Sequence, residues 1–281
     1  MTDVDQSRTK SAYALQWNRW RIVRPDEDRA TFAHRTGLDR AAVEGRLVLD
    51  AGCGMGRYAR VAAELGARLV VGVDLSAAVR AAGDVTRGCA NVALAQADLL
   101  RPPFASGTFD HIYSLGVLDH TPDPRAAFLS IARLLRPGGR IVIWVYPREK
   151  PRVEAIMNVH RAVSTRLPLG VLTLLSRATA PVGGLKRRWM ASKNRVVERA
   201  GVALHALTIG VSMHPDAEVR VCDTLDWYAP KYLSRHTREE VEAWFVEAGL
   251  VEVEDLSVGA RFYHAGQGNG INLAGRRPSE I

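Results

Sequence analysis

The sequence predicts a doubly wound α/β fold interrupted by a helical insertion, and three observations carry that prediction. From Arg46 onward, apolar runs recur that are too short for helices. Helix-length stretches with clear start and stop signals separate them. After Tyr146 the alternation stops, and it returns only near Thr237. Runs rich in Val, Ile and Leu suit strands buried on both faces, and their alternation with helices specifies parallel βαβ units.

Ahead of the first strand, residues 10–45 suggest helices, one of them at about 26–37. Strands are expected at 46–52 (RLVLDAG), 68–75 (RLVVGVDL), 92–98 (VALAQAD), 109–116 (FDHIYSLG) and 139–147 (GRIVIWVYP). Asp123-Pro124 reads as an N-cap and first-turn pair, with Phe128, Ile131, Leu134 and Leu135 repeating on one face until Pro137-Gly138-Gly139 stops the helix. Residues 148–222 read as two or three helices, near 152–165, 169–179 and 186–207, punctuated by Pro168, Pro181 and Gly183-Gly184. Thr237 and Glu240 form a capping box; Val241, Trp244, Phe245 and Ala248 make its buried stripe, and Gly249 ends it. Strands at 251–258 and 271–277 (INLAGRR) follow, and Trp144 and Trp244 are assigned to the core.

At 281 residues, with 47% apolar and 24% charged residues, the chain can bury a sizeable core and is neither disordered nor fibrous. Its three cysteines, Cys53, Cys89 and Cys222, have neither zinc-knuckle spacing nor disulfide density, which fits a reducing cytoplasm. The opening MTDVDQSRTK lacks an apolar leader core and no run reaches membrane-spanning length, so neither export nor insertion is expected. No His, Asp or Glu grouping has metal-ligand spacing.

The strongest local signal is Asp50-Ala51-Gly52-Cys53-Gly54-Met55-Gly56-Arg57, where the first strand turns into a helix. Glycines there let a ligand approach the backbone at a helix N-terminus. The third glycine comes one residue too early for a dinucleotide fingerprint. Asp74, at the end of the second strand, is placed to accept from two vicinal ribose hydroxyls; Asp98, at the end of the third, to accept from an adenine amine. Together they describe an adenosine with a compact tail that carries no phosphate.

With these residues in hand, the chain resembles the class I S-adenosylmethionine-dependent methyltransferases. VLDAGCGMGRYAR, VVGVDLS, QADLLRPPF, FDHIYSLGVLDHTPDP and LLRPGGRIVIWVYP match the family's successive motifs over residues 46–147. The resemblance implies S-adenosyl-L-methionine as cofactor, with Gly52, Gly54 and Gly56 passing its methionyl part, Asp74 holding the ribose, and Asp98 with Leu99 framing the adenine. Asp50, Leu75 and Ser114 complete the implied cofactor set. It further implies a Rossmann-like seven-stranded sheet whose last strand runs antiparallel. The aromatic entry segment YALQWNRW and the closing DTLDWYAPKYLSRHT resemble a subgroup acting on small molecules in glycan and specialised-metabolite pathways. The expected division is an N-terminal helical lid (1–45), a cofactor-binding core (46–147), a basic helical cap (148–222) and a C-terminal completion of the sheet (223–281).

A sulfonium methyl group leaves readily, so the enzyme must mainly align the reactants and exclude water. An oxygen acceptor also needs a base. His120, after the fourth strand, is the first candidate and Tyr113 the second, whereas His111 is expected to cap or pack. Tyr13 and Trp17 are expected to fold over the cofactor, and Asp226, Trp227, Tyr228 and His236 to line the acceptor pocket.

Twelve Lys and Arg against three Glu between residues 148 and 200 give that segment +9, although the whole chain is only +8. An RNA methyltransferase or nucleic-acid binder is therefore one alternative. The fourth motif, Ser114-Leu115-Gly116-Val117, argues against it, since it lacks the Pro-Pro-aromatic element of base-amine methylation, as does the absence of a Pro-Cys nucleophile. A second alternative is a lipid-linked acceptor at a membrane surface, prompted by LGVLTLLSRATA beside basic residues; the preferred reading puts those leucines on the inner face of the cap. Binding of the cofactor without methyl transfer is a third. The expected partner is a small-molecule acceptor, and the oligomeric state is not legible.

Overall fold

A computed structural model describes residues 3–208, 210–257 and 270–279. The described residues form two compact units, one built from 3–147, 232–257 and 270–279, the other from 148–208 and 210–231.

The first unit contains a seven-stranded sheet in the order β3-β2-β1-β4-β5-β7-β6. Its strands are β1 (Leu47–Ala51), β2 (Leu69–Asp74), β3 (Val92–Gln96), β4 (Phe109–Leu115), β5 (Leu135–Val145), β6 (Val251–Asp255) and β7 (Ile271–Arg276). β3, β2, β1, β4 and β5 pair in parallel, and β7 lies antiparallel to both β5 and β6. This is the expected doubly wound, Rossmann-like sheet with an antiparallel last strand. Of the strand expected at 251–258, residue 258 lies outside the described residues.

The inner strands alternate their side chains between two cores. On one face Leu49, Ile112 and Ile143 pack with Phe128 of α6 (Pro124–Ala132) and Trp244 and Phe245 of α11 (Arg238–Glu247). On the other, Val48, Tyr113 and Val142 pack with Phe32 of α2 (Pro25–Thr36) and Tyr58 and Val61 of α4 (Arg57–Glu64). The helix ends follow their sequence signals. Asp123 Oδ1 accepts from Ala126 N at 2.9 Å, the Thr237–Glu240 capping box closes both ways, and Gly37 adopts φ 62 to end α2. The first helix, α1 (Asp3–Arg19), and the short α3 (Arg40–Val43) precede β1, and α5 (Val79–Val85) follows β2. His111 packs as expected, with Nε2 3.0 Å from the Ala42 carbonyl oxygen.

One sheet element departs from expectation. The α6 helix stops at Ala132 and Leu135 already belongs to β5, so Leu134 and Leu135 do not continue the helical face. Leu135 pairs with Phe109, and the register then shifts so that His111 pairs with Arg140. Gly139 permits the shift, because a Cβ there would lie 2.9 Å from the carbonyl oxygens of Arg136 and Asp110.

The second unit is helical: α7 (Pro151–Ser164), α8 (Leu169–Met190), α9 (Arg195–Leu207) and α10 (Ala217–Tyr228). The break expected at Pro181 and Gly183-Gly184 is absent, and α8 runs through it. Proline removes one intrahelical hydrogen bond, but tertiary contacts hold the helix: Arg220 Nε donates to the Ala180 carbonyl at 2.8 Å, and Gly183 lets Ser212 approach so closely that a Cβ would sit 2.0 Å from its carbonyl oxygen. The unit extends to Lys231 rather than 222, since Asp216 caps a helix that crosses that boundary. Arg161 then binds the carbonyls of Trp227, Pro230 and Lys231 beyond it. The leucines of LGVLTLLSRATA split between inside and outside: Leu172 is buried, whereas Leu174 and Leu175 are 67% and 48% exposed, which corrects the inner-face reading. No described helix is long and apolar enough to cross a membrane.

Candidate functional site

The strand order reverses between β1 and β4, and in open α/β sheets the crevice beyond the carboxyl ends at such a point takes the ligand. The turn after β1 is drawn onto β2: Gly52 N and Cys53 N both donate to the Val73 carbonyl at 2.8 Å. Gly52 has φ 95, and a Cβ there would lie 2.3 Å from Val117 Cγ1. Gly56, at φ 81, caps α4 and lies against Ala82.

The three expected carboxylates stand at successive strand ends of this edge. Asp74 is the most fully engaged. Its Oδ2 accepts from Gly54 N at 3.0 Å, and its Oδ1 accepts from Ser76 N and Ser76 Oγ at 2.8 and 2.7 Å. Burial pushes its carboxyl above the ordinary range, against the pull of those same bonds. Asp98 Oδ1 accepts from Leu100 N at 2.9 Å, and its Oδ2 accepts from Gln6 Nε2 of α1 at 3.1 Å. Asp50 is buried on β1 beside its register partner Tyr113 on β4. Burial raises its carboxyl to about 7. Neither Asp50 Oδ2 nor Tyr113 Oη hydrogen-bonds within the described chain.

Above the glycine turn lies α1. Its Trp17 ring is so close to Gly54 that a Cβ there would lie 3.2 Å from Trp17 Nε1. The Tyr13 and His120 rings meet in a T-shaped contact, centroids 5.2 Å apart. His120 closes a 3-10 turn at Leu118–His120 and is itself buried. Its Nδ1 is 3.1 Å from the Tyr232 carbonyl oxygen. A carbonyl can only accept, so Nδ1 carries the proton and Nε2 is the basic nitrogen. Tyr146 presents its ring to the same imidazole at 5.8 Å.

One expected role is corrected. Tyr113 is wholly buried, with its ring 5.2 Å from Phe32, and burial holds its phenol well above the usual range, so it is a core residue and not a base. Ser114 is also wholly buried, and its Oγ donates to the Ala51 carbonyl at 2.8 Å, which makes it a staple between β1 and β4. Leu99 packs into the core, and Leu75 is half-buried at the end of β2 with its carbonyl accepting from Gln96. His236 sits 3.0 Å from Ser234 Oγ and against Trp244. Asp226, Trp227 and Tyr228 belong to the last turn of α10 in the helical unit.

Sequence reasoning missed Gln6, Val117, Asp119 and Tyr232. Asp119 is fully buried and its Oδ2 accepts from Tyr146 N at 3.1 Å, tying the loop after β4 to the end of β5. A carboxylate directly preceding the candidate base was its available signal. Gln6 offered none, because it lies in the polar first half of α1, outside any motif.

These residues fit an adenosine-type cofactor. Asp50 has a buried oxygen without a hydrogen bond, and a carboxylate has acceptor capacity beyond the bonds that Asp74 and Asp98 already make.

Residues 49–143 match the family model described as Methyltransferase domain. A ubiquinone biosynthesis O-methyltransferase of Pseudomonas paraeruginosa is 30% identical over 149 residues, which is 51% of this chain and 64% of that protein. O-methyltransferase resE of Aspergillus sclerotiorum is 34% identical over 44% of this chain and 49% of its own. The chain thus spans just under two thirds of the first relatives' length. A chain from the solved complex containing the Haloferax volcanii Trm112 methyltransferase activator shares the fold, at 17% identity and TM-score 0.55 over 99% of both chains. Residues 49–143 thus match a methyltransferase domain, and they carry the glycine turn and the parallel core of the seven-stranded sheet.

Proposed function

We propose that this protein binds S-adenosylmethionine at the reversal point of its sheet and methylates a hydroxyl group of a small organic acceptor. The observation that carries the acceptor chemistry is the bond between His120 Nδ1 and the Tyr232 carbonyl, which leaves Nε2 as the basic nitrogen at the carboxyl edge of the sheet. The names of the relatives that methylate oxygen support the same choice.

The cofactor supplies a methyl group on positively charged sulfur. Asp74 is the acceptor for the ribose hydroxyls, Asp98 for the adenine amine, and the Gly52 to Gly56 turn leaves room for the methionyl part. Trp17, over Gly54, excludes water from that turn. His120 Nε2 takes the acceptor's hydroxyl proton as the oxygen attacks, and the T-shaped contacts with Tyr13 and Tyr146 hold the imidazole in place.

The test is S-adenosylhomocysteine release from S-adenosylmethionine with a panel of phenols, catechols, carboxylates and amines. Turnover confined to hydroxylated acceptors is expected. Turnover with amines alone overturns the oxygen assignment, and binding without turnover on any class overturns methyl transfer.

A further inference from the structure

Methyl transfer makes no use of one face of α8. Leu172, Ser176, Ala180 and Gly183 point into the helical unit. On a different side, Val171, Leu174, Leu175, Ala178, Val182 and Leu185 recur at i, i+3, i+4, i+7, i+11 and i+14. At 1.5 Å per residue they form one apolar stripe about 20 Å long. It faces outward: Val171, Leu174, Leu175 and Leu185 are 42%, 67%, 48% and 39% exposed. A helix on a soluble unit ordinarily carries polar residues there. The feature is also local, since ten of the thirteen exposed large apolar residues among the described ones fall in α7, α8 and α9.

We propose that this stripe is a docking face for an anionic lipid bilayer, lying at the headgroup level without crossing. Charge selects this occupant. Ten of the twelve Lys and Arg between residues 148 and 200 are exposed, whereas the remainder of the chain carries −1. Arg177 and Arg188 border the stripe, three residues beyond Leu174 and Leu185, where their stems can lie along the lipid boundary with the guanidinium groups among phosphates. A second copy of the chain would bring a like-charged surface against this one. A nucleic acid would account for the cations but leave the Val and Leu stripe in water. Apolar side chains with a basic surround match the interfacial kind of membrane helix, and no described helix has the length and apolarity to span.

Flotation of the full chain with vesicles tests this, using phosphatidylcholine alone and phosphatidylcholine mixed with phosphatidylglycerol. The chain is expected to float with the mixed vesicles only, and less so in high salt. Leu174→Ser with Leu175→Ser, both at exposed positions, should weaken partition at least about tenfold with an unchanged melting midpoint. Arg177→Gln with Arg188→Gln should weaken it on anionic vesicles. No flotation, or flotation unaffected by the leucine pair, overturns the proposal. So does a concentration-dependent dimer abolished by the leucine pair, or retention on single-stranded RNA without flotation.

Discussion

Asp74 Oδ2 accepts the Gly54 backbone N–H at 3.0 Å, joining the end of β2 to the turn after β1 across twenty residues. The bond gives one carboxylate two tasks, shaping the glycine turn and facing the proposed ribose. Asp74→Ala removes the acceptor for Gly54 N, Ser76 N and Ser76 Oγ. Calorimetric affinity for S-adenosylhomocysteine is expected to fall about a hundredfold or more. Unchanged affinity contradicts the ribose assignment.

His120→Phe keeps an aromatic ring between Tyr13 and Tyr146 but removes the basic nitrogen. With an oxygen acceptor, turnover is expected to fall about 100- to 10,000-fold while cofactor affinity stays nearly unchanged, and the acidic limb of the pH–rate profile should flatten. Preserved turnover would remove His120 as the base.

Burial lifts the Asp50 carboxyl from 3.8 to about 7, so the folded chain retains a proton that the unfolded chain releases across that window. Asp50 therefore makes stability decline as pH rises from about 4 to about 7, and above 7 the full penalty remains. Asp50→Asn should raise the unfolding free energy of the free protein near pH 7.5 by roughly 4 kcal/mol, with little change at pH 4. Denaturant melts at the two pH values measure it.

Gly52 combines φ 95 with a Cβ position 2.3 Å from Val117 Cγ1. Gly52→Ala is expected to cost roughly 2–4 kcal/mol. Adding Val117→Ala should restore only part of this, because the backbone strain survives removal of the clash. Complete recovery in thermal melts would show that sterics alone set the cost.

Much of the fold and the carboxylate edge was legible because one strong local rule governed each part. Unbroken Val, Ile and Leu runs marked β1, β2 and β5; Thr237 and Glu240 marked α11; Asp74 and Asp98 stood one helix-and-strand repeat apart. Where two rules competed, the tertiary one prevailed. Pro181 should break a helix, yet Arg220 and the close approach at Gly183 hold α8 continuous. Leu134 and Leu135 suited a helical face, yet pairing with Phe109 drew Leu135 into the sheet. Tyr113 was misassigned because motif position does not say which side of a strand a residue faces. Gln6 meets Asp98 across ninety-two residues, a contact with no local signature.

The antiparallel pairing of Val145 with Ile271 has a consequence for synthesis. Its two halves emerge from the ribosome about 125 residues apart, roughly 6–25 s at ordinary translation speeds. Throughout that delay the nascent chain presents the edge of β5, with Ile141, Ile143 and Val145 alongside, and no neighbour to pair with it. Chaperone protection should therefore matter most between completion of β5 and arrival of β7, and a slowed codon run within the helical unit would prolong the hazard.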